Sequence, residues 1–310
     1  MSPAQANASL PAGFQLEGYR IARQISLGGF SIVYLAHDAS GHPLAIKEYL
    51  PNTLSLRSGT DYVPQVADAD RAAFNHGLQC FFEEGRTLAL LDHPNVVRVT
   101  DFFRANGTAY LVMRYERGRT LAEHIGKHGG ALDEGTIRAL FTRLLNGLRE
   151  VHSHRLLHLD IKPANLFLRS DGVPVLLDFG AARQVLGHEA PRLRSVHTQG
   201  FAAPEQYGEP DRLGPWTDIY AVGATLHTCL SAQAPAAADR RLAGESMPRA
   251  ADRFAGRYSR HLLATVDHCL ELDPLARPQS VYALQKELAR RDYAAVGRSW
   301  LDRLRGKGRR

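Results

Sequence analysis

The chain has 310 residues, 44% hydrophobic and 23% charged; this is ordinary globular composition, long enough for one large domain or two small ones, and it excludes a mostly disordered chain. The formal net charge is +6, yet the last thirteen residues, RSWLDRLRGKGRR, hold six basic side chains and one Asp. Five of the six charges therefore sit in a tail, and the body is not a basic nucleic-acid-binding face. Cys80, Cys229 and Cys269 are too few and too scattered for a disulfide framework or a zinc ribbon, and they suit a reducing cytoplasm.

The opening residues lack the charged and apolar regions of a signal peptide, and residues 1–13 read as a flexible leader. YRIARQIS, SIVYLAHD and PLAIKEYL then read as three strands separated by the LGGF and ASGH turns. A mixed segment from Pro51 to about Asn75 contains SGTDYV, a candidate small hairpin. A helix is expected from Phe74 to Leu91 on the spacing of Leu78, Phe81, Leu88 and Leu91, with Pro94 ending it. VVRVTDFFRA and TAYLVMRY are strands joined by Asn106-Gly107, a strong hairpin signal.

From Thr120 the pattern turns helical. TLAEHIGKHG and DEGTIRALFTRLLNGLREVHS are amphipathic, and Asp133 is placed to cap the second. VPVLLDFG supplies one further short strand. Ile219 to Ala238 contains no Asp, Glu, Lys or Arg, but its small and polar residues suit a buried helix rather than a membrane span. The expected class is α+β: a small β-rich N-terminal lobe and a larger helical C-terminal lobe, joined near Met113–Gly118.

Five segments carry chemistry. Ser26-Leu27-Gly28-Gly29-Phe30-Ser31 joins two strands, and a glycine-rich turn lets backbone N–H groups approach phosphate oxygens. Lys47 lies in Ala45-Ile46-Lys47 on the third strand; it is one of only five lysines against 33 arginines, a bias that reflects either chance or a need for a compact ammonium, and taken alone it reads more readily as a snorkelling surface lysine. Glu83 and Glu84 compete as its partner on the following helix. Glu84 shares a face with Phe81, Leu88 and Leu91, whereas Glu83 lies nearer Arg86 and Thr87, so Glu84 is the candidate. His158-Leu159-Asp160-Ile161-Lys162-Pro163-Ala164-Asn165 places an acid, a lysine and an amide on one tight loop. Asp178-Phe179-Gly180 follows a strand, where an acid is well placed to hold Mg²⁺.

These segments, with Ala203-Pro204-Glu205, resemble in order and spacing the signature set of the eukaryotic-type protein kinases, and AIKEYLP, LLDFGAAR and AAPEQY look most like their bacterial serine/threonine members. The resemblance implies a bilobed kinase fold, with an N-lobe over 14–116, a C-lobe over 117–292 and a basic tail over 293–310. It implies ATP and Mg²⁺ as cofactors and a protein as substrate. Lys47 would hold the α- and β-phosphates and pair with Glu84; Asp160 would take the hydroxyl proton; Lys162 would neutralise the transferring phosphoryl; Asn165 and Asp178 would bind metal. Val33, Ala45 and Phe167 would enclose the adenine, with Met113 as gatekeeper, Tyr115 and Glu116 in the hinge, and Gly28 and Gly29 at the phosphates. Glu205 and Arg277 resemble a buried ion pair under the substrate platform, Asp218 an acid that bonds the catalytic-loop backbone, and Thr198 the threonine that bonds the catalytic Asp and Lys. The position of Lys162 fits the serine/threonine class.

The chain departs from the pattern at three places. Ser26 and Ser31 replace two loop glycines. Leu159 replaces the arginine that grips a phosphate on the activation segment, and leucine cannot do so. Between Gly180 and Glu205 that segment offers only Ser195 and Thr198 as acceptors, so activity without activation-loop phosphorylation is expected. The third departure is the long interval from Lys47 to Glu84. Its extra segment, 51–75, is expected to pack over the N-lobe, with a regulator-binding role as the alternative. The tail could meet acidic lipid or a partner through Trp300, Leu301 and Leu304, or remain a frayed end. The rival to an active kinase is a pseudokinase serving as a nucleotide-binding scaffold; a small-molecule kinase fits less well.

Overall fold

The computed structural model describes residues 7–58, 61–179, 183–184, 198–208 and 210–290. In chain order it runs β1 (Gln15–Leu16), β2 (Tyr19–Leu27), β3 (Ser31–His37), β4 (Pro43–Tyr49), α1 (Arg71–Leu88), β5 (Val99–Ala105), β6 (Thr108–Arg114), β7 (Gly118–Thr120), α2 (Leu121–Lys127) and α3 (Glu134–Ser153). There follow β8 (Leu156–Leu157), β9 (Leu166–Arg169), β10 (Pro174–Leu176), β11 (Arg183–Gln184), α4 (Pro215–Ser231), α5 (Ala238–Leu242), α6 (Ala250–Arg253), α7 (Arg260–Cys269) and α8 (Val281–Ala289).

The N-lobe is an antiparallel sheet in the order β1-β2-β3-β4-β6-β5. Alternation along β3 and β4 gives it two distinct faces. Val33 pairs with Lys47 and Ala45 with Met113, so Val33, Ala45, Lys47, Leu111 and Met113 share the face toward the C-lobe. Tyr34, Ile46, Glu48, Tyr110 and Val112 share the opposite, outer face and are buried there. At the β5–β6 turn Asn106 and Gly107 both take left-handed φ, 50° and 69°, the geometry a two-residue hairpin needs.

Helix α1 packs on the inner face through Phe74, Gly77, Phe81, Gly85 and Leu88. A Cβ at Gly85 would collide with the Leu111 side chain, so the small residue sets how close the helix approaches β6. The helix begins three residues before the expected Phe74 and stops at Leu88, well before Pro94. The stop has a physical cause: the Arg98 guanidinium donates to the carbonyls of Ala89 and Leu91, at 3.3 and 2.6 Å, and holds the chain in a turn.

The C-lobe is built on α3 and α4. Ile137, Phe141, Leu144, Leu145, Leu148 and Val151 give α3 one buried stripe, and Asp133 caps it by accepting from the Thr136 N–H at 2.9 Å. Thr120 and Glu123 form a capping box at α2. The uncharged stretch overlaps α4, which is buried all round from Thr217 to Leu230 and ends at Ala232 in a left-handed conformation. No helix among the described residues is long and apolar enough to cross a membrane. The three cysteines form no disulfide.

One segment differs from expectation. Residues 7–13, read as loose leader, start on the sheet: Asn7 and Leu10 are buried because they fill its outer face. In the 51–66 stretch Arg57 and Tyr62 lie on the same face, Leu54 and Val66 pack beside Tyr49 and Phe74, and Leu56 bridges Gln65 antiparallel. Residues 59–60, within the candidate SGTDYV hairpin, lie outside the described residues, as do Gly180, Ser195 and the basic tail.

Candidate active site

The cleft between the lobes gathers the motif residues. Lys47 comes from the middle of β4, where flanking strands leave it 7% exposed. Its Nζ lies 2.5 Å from Asp178 Oδ1 and 5.6 Å from the centroid of the Phe81 ring. Asp178 takes a left-handed φ of 55° just after β10, which turns its carboxylate out of the strand.

Glu84 stands on the same helix face as Phe81 and feels the Lys47 charge, but the direct ion pair of Lys47 is with Asp178, not with Glu84. The Glu84 Oε1 is shut off from solvent with no hydrogen-bond partner. Burial pushes its carboxyl up to about 7, with Lys47 opposing the shift. Glu83 faces solvent and reaches Arg86 at 3.8 Å, which supports the choice of Glu84 as the inward carboxylate.

The catalytic loop is fastened from below. Asp218, at the start of α4, accepts from the backbone N–H groups of His158 and Leu159 at 2.9 and 2.8 Å and lies 2.7 Å from His152 Nε2. These bonds hold the buried Asp218 carboxyl below its ordinary value in spite of its burial. His158 is buried between this loop and Phe179, with rings 4.4 Å apart. Its Nε2 meets the Leu177 carbonyl, which can only accept, and its Nδ1 faces the Asp160 N–H, so the proton belongs on Nε2. Burial lowers the pKa of this ring.

Asp160 is held at both oxygens. Thr198 Oγ1 donates to Oδ1 at 3.0 Å and Asn165 Nδ2 donates to Oδ2 at 2.8 Å. Lys162 Nζ lies 2.8 Å from Asp160 Oδ2 and donates to Thr198 Oγ1 at 2.8 Å. The carboxylate therefore has one orientation. Leu159 is buried, takes a left-handed φ of 61°, and offers its carbonyl to Gln206 Nε2 at 3.0 Å, while Gln206 Oε1 accepts from Ala203 N–H at 2.8 Å.

Behind this loop Arg277 and Glu205 form a fully buried pair at 2.8 and 3.1 Å, with Thr217 Oγ1 donating to Glu205 at 2.8 Å. The residues expected around adenine — Val33, Ala45, Met113, Tyr115, Glu116 and Phe167 — are half-buried and come from both lobes. At the glycine-rich turn neither Gly28 nor Gly29 needs a left-handed φ, and a Cβ at either would meet only ordinary contacts. Nothing within the protein demands glycine there.

The donor chemistry fits a magnesium-bound nucleotide. Asp178 is 46% exposed at its side chain and offers carboxylate oxygen. Asn165 spends its amide N–H groups on Asp160, which leaves its Oδ1 as an acceptor that could meet a cation. Mg²⁺ is typically held by one or two such oxygens together with substrate phosphates. Sequence reasoning missed three contributors: His152 beneath Asp218, Gln206 against Leu159, and the Glu48–Arg57 pair on the outer face. His152 and Arg57 belong to no motif, and Glu48 and Gln206 lie inside AIKEYLP and AAPEQY beside the residues that drew attention, with partners chosen by the fold rather than by spacing.

The sequence model described as "Protein kinase domain" matches residues 19–289. The probable serine/threonine-protein kinase zyg-1 of Caenorhabditis briggsae is 30% identical over 228 residues, covering 72% of this chain and 28% of that protein. Serine/threonine-protein kinase B of Synechocystis sp. is 31% identical over 230 residues, covering 70% and 37%. Serine/threonine-protein kinase pkn2 of Myxococcus xanthus is 30% identical over 295 residues, covering 90% and 33%. The chain thus spans about a third of the length of these relatives. A solved structure titled "PpkA-294 apo form" superposes with a TM-score of 0.81 at 36% identity, covering 90% of this chain and 99% of that one.

Proposed function

The chain belongs to the protein kinase family, and on that premise we propose that it transfers the γ-phosphoryl group of Mg-ATP to serine or threonine hydroxyls of proteins. The observation that carries this reading is the Asp160–Thr198–Lys162 constellation, in which one hydroxyl orients the base and the cation together.

Asp160 accepts the proton of the attacking hydroxyl. Its oxygens are already held by Thr198 and Asn165, so little reorganisation precedes the reaction. Lys162 sits where negative charge gathers on the transferred group. Lys47 binds the α- and β-phosphates, Glu84 supports it, and Gly28 and Gly29 line the phosphate turn. Val33, Ala45, Met113 and Phe167 enclose the base, with Tyr115 and Glu116 at the hinge. Asn165 and Asp178 hold Mg²⁺, which when bound neutralises phosphate charge.

The same geometry supports activity without activation-loop phosphorylation. Asp160 is oriented by Thr198, Asn165 and the Asp218-bound backbone, and the Leu159 carbonyl is tied to Gln206. No phosphate is needed for any of these bonds. The buried Glu205–Arg277 pair supports a platform for a peptide substrate. The 51–75 segment serves the N-lobe by packing, and its packed side leaves less surface for a regulator. A cytoplasmic location, suited to the sparse cysteines, belongs to this proposal.

Incubation of the purified chain with Mg-ATP labelled at the γ-phosphorus and a serine-containing protein substrate tests the reading. Transfer of label to serine or threonine is expected. Nucleotide binding by thermal shift with no transfer would favour a nucleotide-binding scaffold instead.

A further inference from the structure

On the outer face of the N-lobe sheet, remote from the cleft, lies a charge pair that the chemistry above does not use. Arg57 is 1% exposed and Glu48 is fully buried. The guanidinium forks onto the carboxylate at 2.5 and 2.8 Å. Its remaining N–H groups go to Ala8 O at 2.8 Å, Tyr34 Oη at 3.0 Å and Tyr62 O at 3.5 Å, so all five donors are used. Glu48 also accepts from Tyr34 Oη at 2.7 Å and Tyr110 Oη at 2.8 Å. Beside these acceptors and away from water, both phenols are pushed above their ordinary values. Desolvation offsets much of the attraction in a buried ion pair, so this one is weak evidence for stability, while its bonds join Ala8, Tyr34, Glu48 and Tyr62 in one arrangement.

What the pair fixes is the turn that carries the glycine-rich loop. The β3–β4 ladder ends at Ser31 and Tyr49. Beyond it the Leu50 N–H donates to Phe30 O and the Asn52 N–H to Gly29 O, both at 2.9 Å. Residues 51–55 then close on themselves, with the Leu54 and Ser55 N–H groups on Pro51 O. The Asn7 side chain clasps both ends of this turn: its Nδ2 donates to Leu50 O at 3.4 Å and its Oδ1 accepts from the Arg57 N–H at 2.6 Å. The loop tip has no buried anchor of its own, since Leu27 and Phe30 are 46% and 49% exposed. The loop is bonded to the 50–52 backbone, Asn7 clasps that backbone at Leu50, and the guanidinium holds Ala8, the next residue along, by its carbonyl.

We propose that Arg57 is a positioning residue for nucleotide binding, holding the glycine-rich loop in place through residues 50–57. This rests on the reading of Gly28 and Gly29 as the phosphate turn. Arg57→Lys keeps the charge but cannot fork or fill all five bonds. It is expected to raise KM for ATP about tenfold, because the nucleotide must then order a loosened loop as it binds, with kcat at saturating ATP and KM for the peptide substrate unchanged. A Glu48→Gln/Arg57→Met double variant removes the charges together and is expected to raise KM for ATP likewise. A variant that keeps the wild-type melting temperature and the wild-type KM for ATP would overturn the proposal.

Amide hydrogen exchange of the unmodified protein with and without Mg-AMP-PNP needs no substitution. Joint protection of residues 27–32 and 50–57 is expected. Protection of 27–32 alone would overturn the proposal and leave the nucleotide site standing; protection of neither would overturn both.

Discussion

Lys47 Nζ donates to Asp178 Oδ1 at 2.5 Å, across a sequence separation of 131 residues, and so ties the N-lobe sheet to the strand exit in the C-lobe. With the lysine engaged there, Glu84 keeps a carboxyl oxygen buried without a hydrogen bond. Burial raises this acid to about 7, against an ordinary value of 4.5.

The folded state therefore holds the Glu84 proton more tightly than the unfolded chain does. The group contributes stability below about pH 4.5 and loses that contribution as pH rises through 7. Glu84→Gln, neutral at every pH, lacks this dependence. Calorimetry of the nucleotide-free protein should show the melting temperature of the variant gaining on the wild type between about pH 5 and pH 8. A difference that is flat across that range would contradict the assignment. The same variant should transfer phosphate more slowly, because the glutamine lacks the charge that draws Lys47.

Thr198 joins Asp160 and Lys162 through one hydroxyl. Thr198→Ala removes two hydrogen bonds to charged groups, each worth about 1.5–3 kcal/mol, and kcat should fall by one to several powers of ten. Thr198→Ser keeps the hydroxyl and should retain most of the rate. Steady-state kinetics of the pair check this, and an alanine variant as fast as the serine variant would remove Thr198 from the site.

Glu205 and Arg277 are buried together. Glu205→Gln leaves the guanidinium charge without its counterion, and such a change typically destabilises by about 3–5 kcal/mol. Chemical denaturation should show a large drop in the unfolding midpoint. A shift within error would mean that the charge is compensated by the carbonyls of Glu271 and Leu272, which Arg277 also reaches.

Leu159 is buried and its carbonyl is held by Gln206. Treatment of the purified kinase with phosphatase should leave its rate on a protein substrate unchanged. A large loss that ATP restores would show that the activation segment needs a phosphate after all.

Much of the site was legible because its chemistry is local in sequence. The spacing from Asp160 to Lys162 and Asn165 follows from one tight loop, and Asp133, Asn106 and Gly107 declare a cap and a hairpin on their own. The outer face of the sheet was not legible. Glu48 alternates with Lys47 on β4, and a glutamate on the side away from the cleft looks like a solvated one. Arg57 lies in a segment with no periodicity. Only the fold of 51–66 over the sheet brings them together. The start of α1 was placed one turn late: the Ala- and Asp-rich run before Phe74 favours a helix start, and Asp70 is the cap, though its side chain makes no capping bond. The Lys47–Asp178 contact also escaped, because the partner of a strand lysine is chosen by lobe packing.

The central claim is that Asp160 serves as the base in transfer from ATP to a protein hydroxyl. The most direct measurement compares wild type with Asp160→Asn in a labelled-phosphate transfer assay, with melting temperature and Mg-AMP-PNP binding recorded on the same samples. Asparagine still accepts from Thr198, so the variant should fold and bind nucleotide while its transfer rate falls by about two to four powers of ten. Transfer at the wild-type rate by the folded variant would contradict the assignment.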